Sequence, residues 1–307
     1  MATTLRPLVA ALGLLSLAAI AVAGTYEQAE AAYDAGRYDA ATQEMRAAAE
    51  SGDARAEYSL GVMYEHGRGV EKDAAKAFEW YTKAAKQGNS AAANNLGYLY
   101  YTGVGTERDY AKAFEWYTKA TQGPQTEWGT ALAWANLGSA YFFGHGTAVE
   151  YAKAADCWRK AAAQGNAVAQ NDLGYLYEHG LGVPKDAAKA LEWYTKAADD
   201  GFPYAQRNVG VMYEAGRGTM RDLGDAAKYY ALAAKRGNGF AQFKMGRHYE
   251  RGLGVQKDLV EAYKWYLLSS AKGDRHATES LRRLERVLTP EQIAEAKKRA
   301  ETARSAP

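Results

Sequence analysis

Residues 53–88 read DARAEYSLGVMYEHGRGVEKDAAKAFEWYTKAAKQG, and the same frame returns five more times along the 307-residue chain. Its fixed points are Leu60-Gly61, Tyr64, Gly67-x-Gly69 and the aromatic pair Trp80-Tyr81. The first of these glycines recurs as Gly97, Gly138, Gly174, Gly210 and Gly246. Four of the five intervals are 36 residues, and the interval from Gly97 to Gly138 is 41, so five residues are inserted there. A fixed period of this size means stacked units that each contact only their neighbours, not one large core.

Each unit reads as a helical hairpin. Ala56, Leu60, Met63 and Tyr64 fall on one face of a first helix. Gly67 suits the left-handed residue that ends a helix, and Gly69-Val70 makes the turn. Asp73 stands where its carboxylate accepts the free amides of a second helix. Ala77, Trp80, Tyr81 and Ala84-Ala85 supply that helix's apolar stripe, and Gly88 ends it. Gly61 sits inside the first helix at a cost of roughly 1 kcal/mol relative to Ala. Its recurrence predicts that a neighbouring helix approaches too closely for a Cβ, with the Trp and Tyr rings filling the space between hairpins.

The pattern Ala-x-x-x-Leu-Gly-x-x-Tyr-x-x-Gly-x-Gly-Val-x-x-Asp…Lys-Ala-x-x-Trp-Tyr-x-Lys-Ala-Ala resembles the Sel-one-like repeat family, a relative of the tetratricopeptide repeats. The resemblance covers Asp53 to Gly273. It implies an all-α fold, a right-handed α-solenoid, that binds proteins or peptides in a concave groove lined by the first helices. It implies no catalysis and no cofactor. Several units depart from the frame. Cys157 replaces the Trp of repeat three, Glu150 its capping Asp, Tyr229 the Trp of repeat five, and His248 stands where Met63, Leu99 and Leu176 stand elsewhere. Packing is expected to be less regular in repeats three and six.

The ends are of another kind. Residues 1–23 carry Arg6, an apolar run from Leu8 to Val22 and the small-x-small site Ala21-Val22-Ala23, which reads as a secretory signal peptide cleaved after Ala23. The run is short for a membrane span. A mature chain in the periplasm or outside the cell, without stable membrane insertion, is therefore expected. Residues 24–52 resemble one tetratricopeptide hairpin, 53–273 hold the six repeats, and 274–307 form capping helices, with Thr289-Pro290 opening the last.

Charge and chemistry narrow the function. With 38 basic and 36 acidic residues, the chain has no bulk charge for nucleic acid. Cys157 is the single cysteine, and the five histidines lack ligand spacing on one helix, so no metal site is expected. Ser269-Ser270-Ala271-Lys272 matches the Ser-x-x-Lys of penicillin-recognising enzymes, but the companion Lys-Thr-Gly and Ser-Asp-Asn are absent. An envelope hydrolase acting on cell-wall fragments or β-lactams is thus the weaker alternative to a scaffold.

The first helices carry the candidate binding face. Positions two before, one after and five after the helix glycine share a face. That stripe holds Asn95, Tyr98; Asn136, Phe143; Asp172, Tyr175; Asn208; and Lys244, Arg247, Arg251. The Asn/Asp ladder suits the backbone of an extended peptide, and Tyr98, Phe143 and Tyr175 suit aromatic anchors. The basic last repeat suits an acidic segment or a C-terminal carboxylate. The alternative for each residue is packing against the neighbouring helix. The insertion around Pro124 to Gly129, with Trp128, is a second candidate and is expected as a loop.

Overall fold

The computed structural model describes residues 26–122 and 127–305. The export signal expected at 1–23 and most of the insertion, 123–126, lie outside them. The described residues form helices joined by turns, in two compact units. The first unit, to Glu150, holds α1 (26–34), α2 (Tyr38–Glu50), α3 (Ala54–His66), α4 (Ala74–Lys86), α5 (Ser90–Thr102), α6 (Tyr110–Ala120) and α7 (Glu127–Phe143). The second, from Tyr151, holds α8 (Tyr151–Ala163), α9 (Ala167–His179), α10 (Ala187–Asp199), α11 (Pro203–Ala215), α12 (Leu223–Lys235), α13 (Gly239–Arg251), α14 (Leu259–Ser270), α15 (Arg275–Leu284) and α16 (Pro290–Ser305). Within each unit consecutive helices pack on one another, the α-solenoid arrangement. α16 leaves the series and packs on α14.

The capping chemistry accounts for the helix boundaries. Asp73, Asp109, Asp186, Asp222 and Asp258 accept the first amides of the second helices, and Asn89, Asn166 and Asn238 do so for first helices. Each such cap is worth about 1 kcal/mol. The first helices end in a left-handed glycine, Gly67 at φ +71° and its equivalents. Thr289 and Gln292 cap one another's backbone at the start of α16, at 3.0 and 3.3 Å.

The recurring helix glycine has a different partner from the one expected. A Cβ on Gly61, Gly97, Gly174, Gly210 or Gly246 would lie 2.5–2.7 Å from a ring carbon of Tyr81, Tyr117, Tyr194, Tyr230 or Tyr266. These tyrosines belong to the second helix of the same hairpin, so the close approach is inside the hairpin, not between neighbours. The tyrosines are buried, whereas Trp80, Trp116 and Trp193 are half-exposed under Lys83, Lys119 and Lys196, whose Nζ atoms stand 3.7–4.3 Å from the rings. In repeat three Trp158 takes the Tyr position and is buried beside Cys157.

Contact between hairpins is made by the second turn glycine. A side chain on Gly69 would overlap the carbonyl of Tyr38, and one on Gly105, Gly146, Gly218 or Gly254 would overlap Ala74, Tyr110, Ala187 or Leu223. Each of those residues is the first of the preceding second helix. α7 has 17 residues where the other first helices from α3 to α13 have 13. The insertion, expected as a loop, thus lengthens a helix at residues 127–129.

Candidate protein-interaction surface

The stripe residues lie on α5, α7, α9, α11 and α13. In the first unit Tyr98 and Phe143 are held outward, 49% and 61% exposed. Asn95 and Asn136 are half-buried. Asn136 donates its side-chain N–H to Asn94 Oδ1 at 2.9 Å, from α7 to α5. That amide therefore braces neighbouring first helices. Phe143 belongs to a larger aromatic group: His145 stacks on Tyr110 at 4.6 Å and lies 5.5 Å from Phe143, and Tyr101 stands 5.3 Å from Tyr110.

In the second unit Asn208 repeats the bracing pattern. Its N–H reaches Asn171 Oδ1 at 3.0 Å, and its own oxygen accepts from Arg207 at 2.9 and 3.1 Å. Asp172 accepts from Asn171 at 3.1 Å, and burial pushes its carboxyl up to about 6. Tyr175 is 41% exposed, with the His179 ring 4.1 Å away. Lys244 is not an open cation, because its Nζ lies 2.7 Å from Glu214, which also accepts the Tyr230 hydroxyl at 2.7 Å. The basic character expected of the last repeat rests on Arg247 and Arg251, which form no ion pair among the described residues.

Tyr175, Arg207, Asn208 and Phe240 line an open depression of about 280 Å³. Arg207 and Phe240, which line it, and Tyr204 beside them were missed by the sequence reading. The Arg207 guanidinium stands 5.7 Å from the Tyr204 ring and 5.8 Å from Phe240. Tyr204 and Phe240 sit six residues before their helix glycines, as do Leu132 and Val168. All four side chains are exposed. The signal was present in the sequence: position −6 is one helical turn before −2, so it belongs to the same face.

The discounted chemistry has structural reasons. Ser269 is buried, its hydroxyl donates to the Gly239 carbonyl at 3.0 Å, and Asp274 is 3.1 Å away. The Lys272 ammonium is held by the Gly237 carbonyl. Burial pushes the Cys157 thiol up to about 11, so it is not an activated nucleophile. Among the described residues no group of three His, Cys, Asp or Glu side chains is arranged to hold a metal, and no helix is long and apolar enough to cross a membrane.

Helical hairpins stacked through glycine turns, with large apolar side chains outward on the first helices, define a helical-repeat interaction protein. The Sel1 repeat pattern matches residues 54–89, 90–123, 131–166, 167–202, 203–238 and 239–274, and the chain belongs to the Sel1 repeat family. Proteins of this family are generally scaffolds for protein–protein interaction. The chain is similar to c5321, a protective antigen present in uropathogenic Escherichia coli strains, at 32% identity and a TM-score of 0.79 over 95% of this chain. It spans 65% of the length of c5321. It is also similar to a Sel1 repeat protein from Oxalobacter formigenes at 31% identity and a TM-score of 0.73, covering 80% of this chain and 96% of that one. No curated protein matches the sequence.

Proposed function

We propose that this protein is an exported, non-catalytic scaffold that captures an extended segment of a partner protein on its first-helix faces. The observation that carries the reading is the recurrence of exposed Leu132, Val168, Tyr204 and Phe240 at one position of the frame. Within the second unit, the exposure of Val168, Tyr204 and Phe240 in one register is the form of an apolar interaction surface. Tyr98, Phe143 and Tyr175 stand on the same faces as anchors, and Arg247 and Arg251 offer positive charge to an acidic stretch. The laterally bonded Asn136 and Asn208 hold the helices together and leave their oxygens or remaining N–H groups for a peptide backbone.

Export rests on the signal-like residues 1–23, and a mature chain beginning at Gly24 is the expected product by mass spectrometry. That c5321 is a protective antigen agrees with an exported setting. The test of the surface is affinity capture with residues 24–307, followed by titration of the captured partner. Replacing Tyr98 and Tyr175 together by Ala should weaken binding by about 2 kcal/mol or more with an unchanged melting temperature. Unchanged affinity rejects the first-helix face, and a large loss of melting temperature assigns the rings to packing.

A further inference from the structure

A second surface lies in the second unit, away from the stripe. The ends of α12 and α14 and the flank of α16 enclose an open groove of about 1500 Å³. Trp265 and Leu268 are part of its floor. The equivalent tryptophans of other repeats are half-exposed, but α16 packs on α14 and reduces Trp265 to 6% exposure. Its indole Nε1–H is buried and has no hydrogen-bond partner. The Gln242 Oε1 beside the groove is also unpartnered, although Gln170 and Gln206 share that property, so it belongs to the repeat. The indole donor is particular to this place, and a buried polar group ordinarily has a partner.

The lining carries seven cationic side chains and two carboxylates, a surplus of five. The carboxylates are already engaged: Glu261 with Lys264 and Arg299, at 2.5 and 2.9 Å, and Glu295 with Arg299 at 2.8 Å. Lys235, Arg236, Lys298 and Arg304 on the rim have no carboxylate within ion-pair distance among the described residues. A neutral chain thus concentrates unpaired positive charge around an apolar floor.

We propose that this groove binds an acidic peptide segment bearing apolar side chains. The apolar groups lie on Trp265 and Leu268, the carboxylates meet the four rim cations, and a backbone carbonyl accepts from the indole. A polyphosphate or nucleic acid has the charge for the rim and no aliphatic groups for the floor. An anionic bilayer is flat and does not enter a groove walled by α16.

The test uses residues 24–307 and a fluorescein-labelled peptide of alternating glutamate and leucine, read by anisotropy and by the Trp265 indole NMR resonance. The glutamate peptide should bind and shift that resonance, and its glutamine–leucine counterpart should bind about tenfold more weakly or worse. Lys298→Glu with Arg304→Glu should lower affinity about tenfold, and so should Lys235→Glu with Arg236→Glu. Lys83→Glu with Lys119→Glu, on second helices of the first unit, should leave it unchanged, and the shift of the Trp265 resonance separates this groove from the first-helix face. Equal binding of the two peptides overturns the proposal, as does indifference to both rim pairs in folded variants. Tighter binding of polyphosphate or phosphatidylglycerol vesicles than of the peptide also overturns it.

Discussion

Replacing Gly174 by Ala tests the account of the hairpin at a single methyl group. On helix propensity alone the substitution stabilises by about 1 kcal/mol. The structure reverses the sign. The new Cβ would lie 2.6 Å from Tyr194 Cδ1 and 2.8 Å from Cε1, where carbon atoms ordinarily rest about 3.5–4.0 Å apart. The ring must move by roughly 1 Å. It is fully buried, and its hydroxyl is fixed 2.9 Å from Glu178, which Arg217 also holds. Overpacking of this kind costs about 1–3 kcal/mol, and loosening a hydrogen bond to a carboxylate about 1.5–3 kcal/mol. After the propensity gain, a net loss of about 2 kcal/mol is expected.

Urea unfolding followed by circular dichroism measures the loss, and a double-mutant cycle assigns it. In a Tyr194→Leu background the clash disappears, and Gly174→Ala should become neutral or stabilising. Arg282 occupies the corresponding frame position in α15 and is exposed, so Arg282→Gly should cost only about 1 kcal/mol. A Gly174→Ala protein as stable as the parent, or a cycle without coupling, refutes the ring contact as the reason for the glycine.

Two titrations in the second unit give pH-dependent predictions of opposite sign. Burial holds the His248 imidazole below its usual range; its Nδ1–H donates to the Leu253 carbonyl at 2.5 Å and its Nε2 has no partner. The unfolded chain therefore takes up the proton first, so stability should fall as pH drops below about 6.5, and His248→Leu should flatten that slope in melts between neutral and mildly acidic pH. An unchanged slope assigns the acid sensitivity elsewhere. Asp172 is raised to about 6, so its contribution to stability is present at low pH and lost as pH rises through that value. Asp172→Asn should stabilise neutral solutions by up to about 3 kcal/mol and should not stabilise acidic ones; a loss at neutral pH would mean the charge is wanted there.

The repeat frame, the caps and the turn glycines were legible because each is set by residues within a dozen positions. The close approach at the helix glycine was expected between hairpins and lies inside each, against the tyrosine, although the sequence held the answer. Trp80 and Tyr81 are adjacent, so only one can face inward, and Lys83 three residues after the tryptophan marks the outward side, where it covers the ring. The Asn stripe was found, but the bonds Asn136–Asn94 and Asn208–Asn171 cross between helices more than 30 residues apart. No single repeat contains that information. The groove beside Trp265 was invisible for a related reason: it exists because α16 departs from the repeat and docks on α14.

One frame position connects the internal packing to the surface. Four residues after the helix glycine stand Glu65, Glu178, Glu214 and Glu250, and each accepts the hydroxyl of its hairpin's buried tyrosine at 2.5–2.9 Å. Repeats two and three have Tyr101 and Phe142 there instead. Repeat three has no hydroxyl to satisfy, because Trp158 takes the tyrosine's place, and the fold tolerates the exchange. The freed position adds Tyr101 to the rings around His145 and sets Phe142 4.9 Å from Phe143. Close packing of glycine against a tyrosine ring recurs in five hairpins, and in repeat two Gly97 keeps it against Tyr117 without the glutamate, so the Glu–Tyr bond is the dispensable part of the frame. A stack built this way can change its outward chemistry one repeat at a time, acidic in one hairpin and aromatic in the next, without altering how its helices meet.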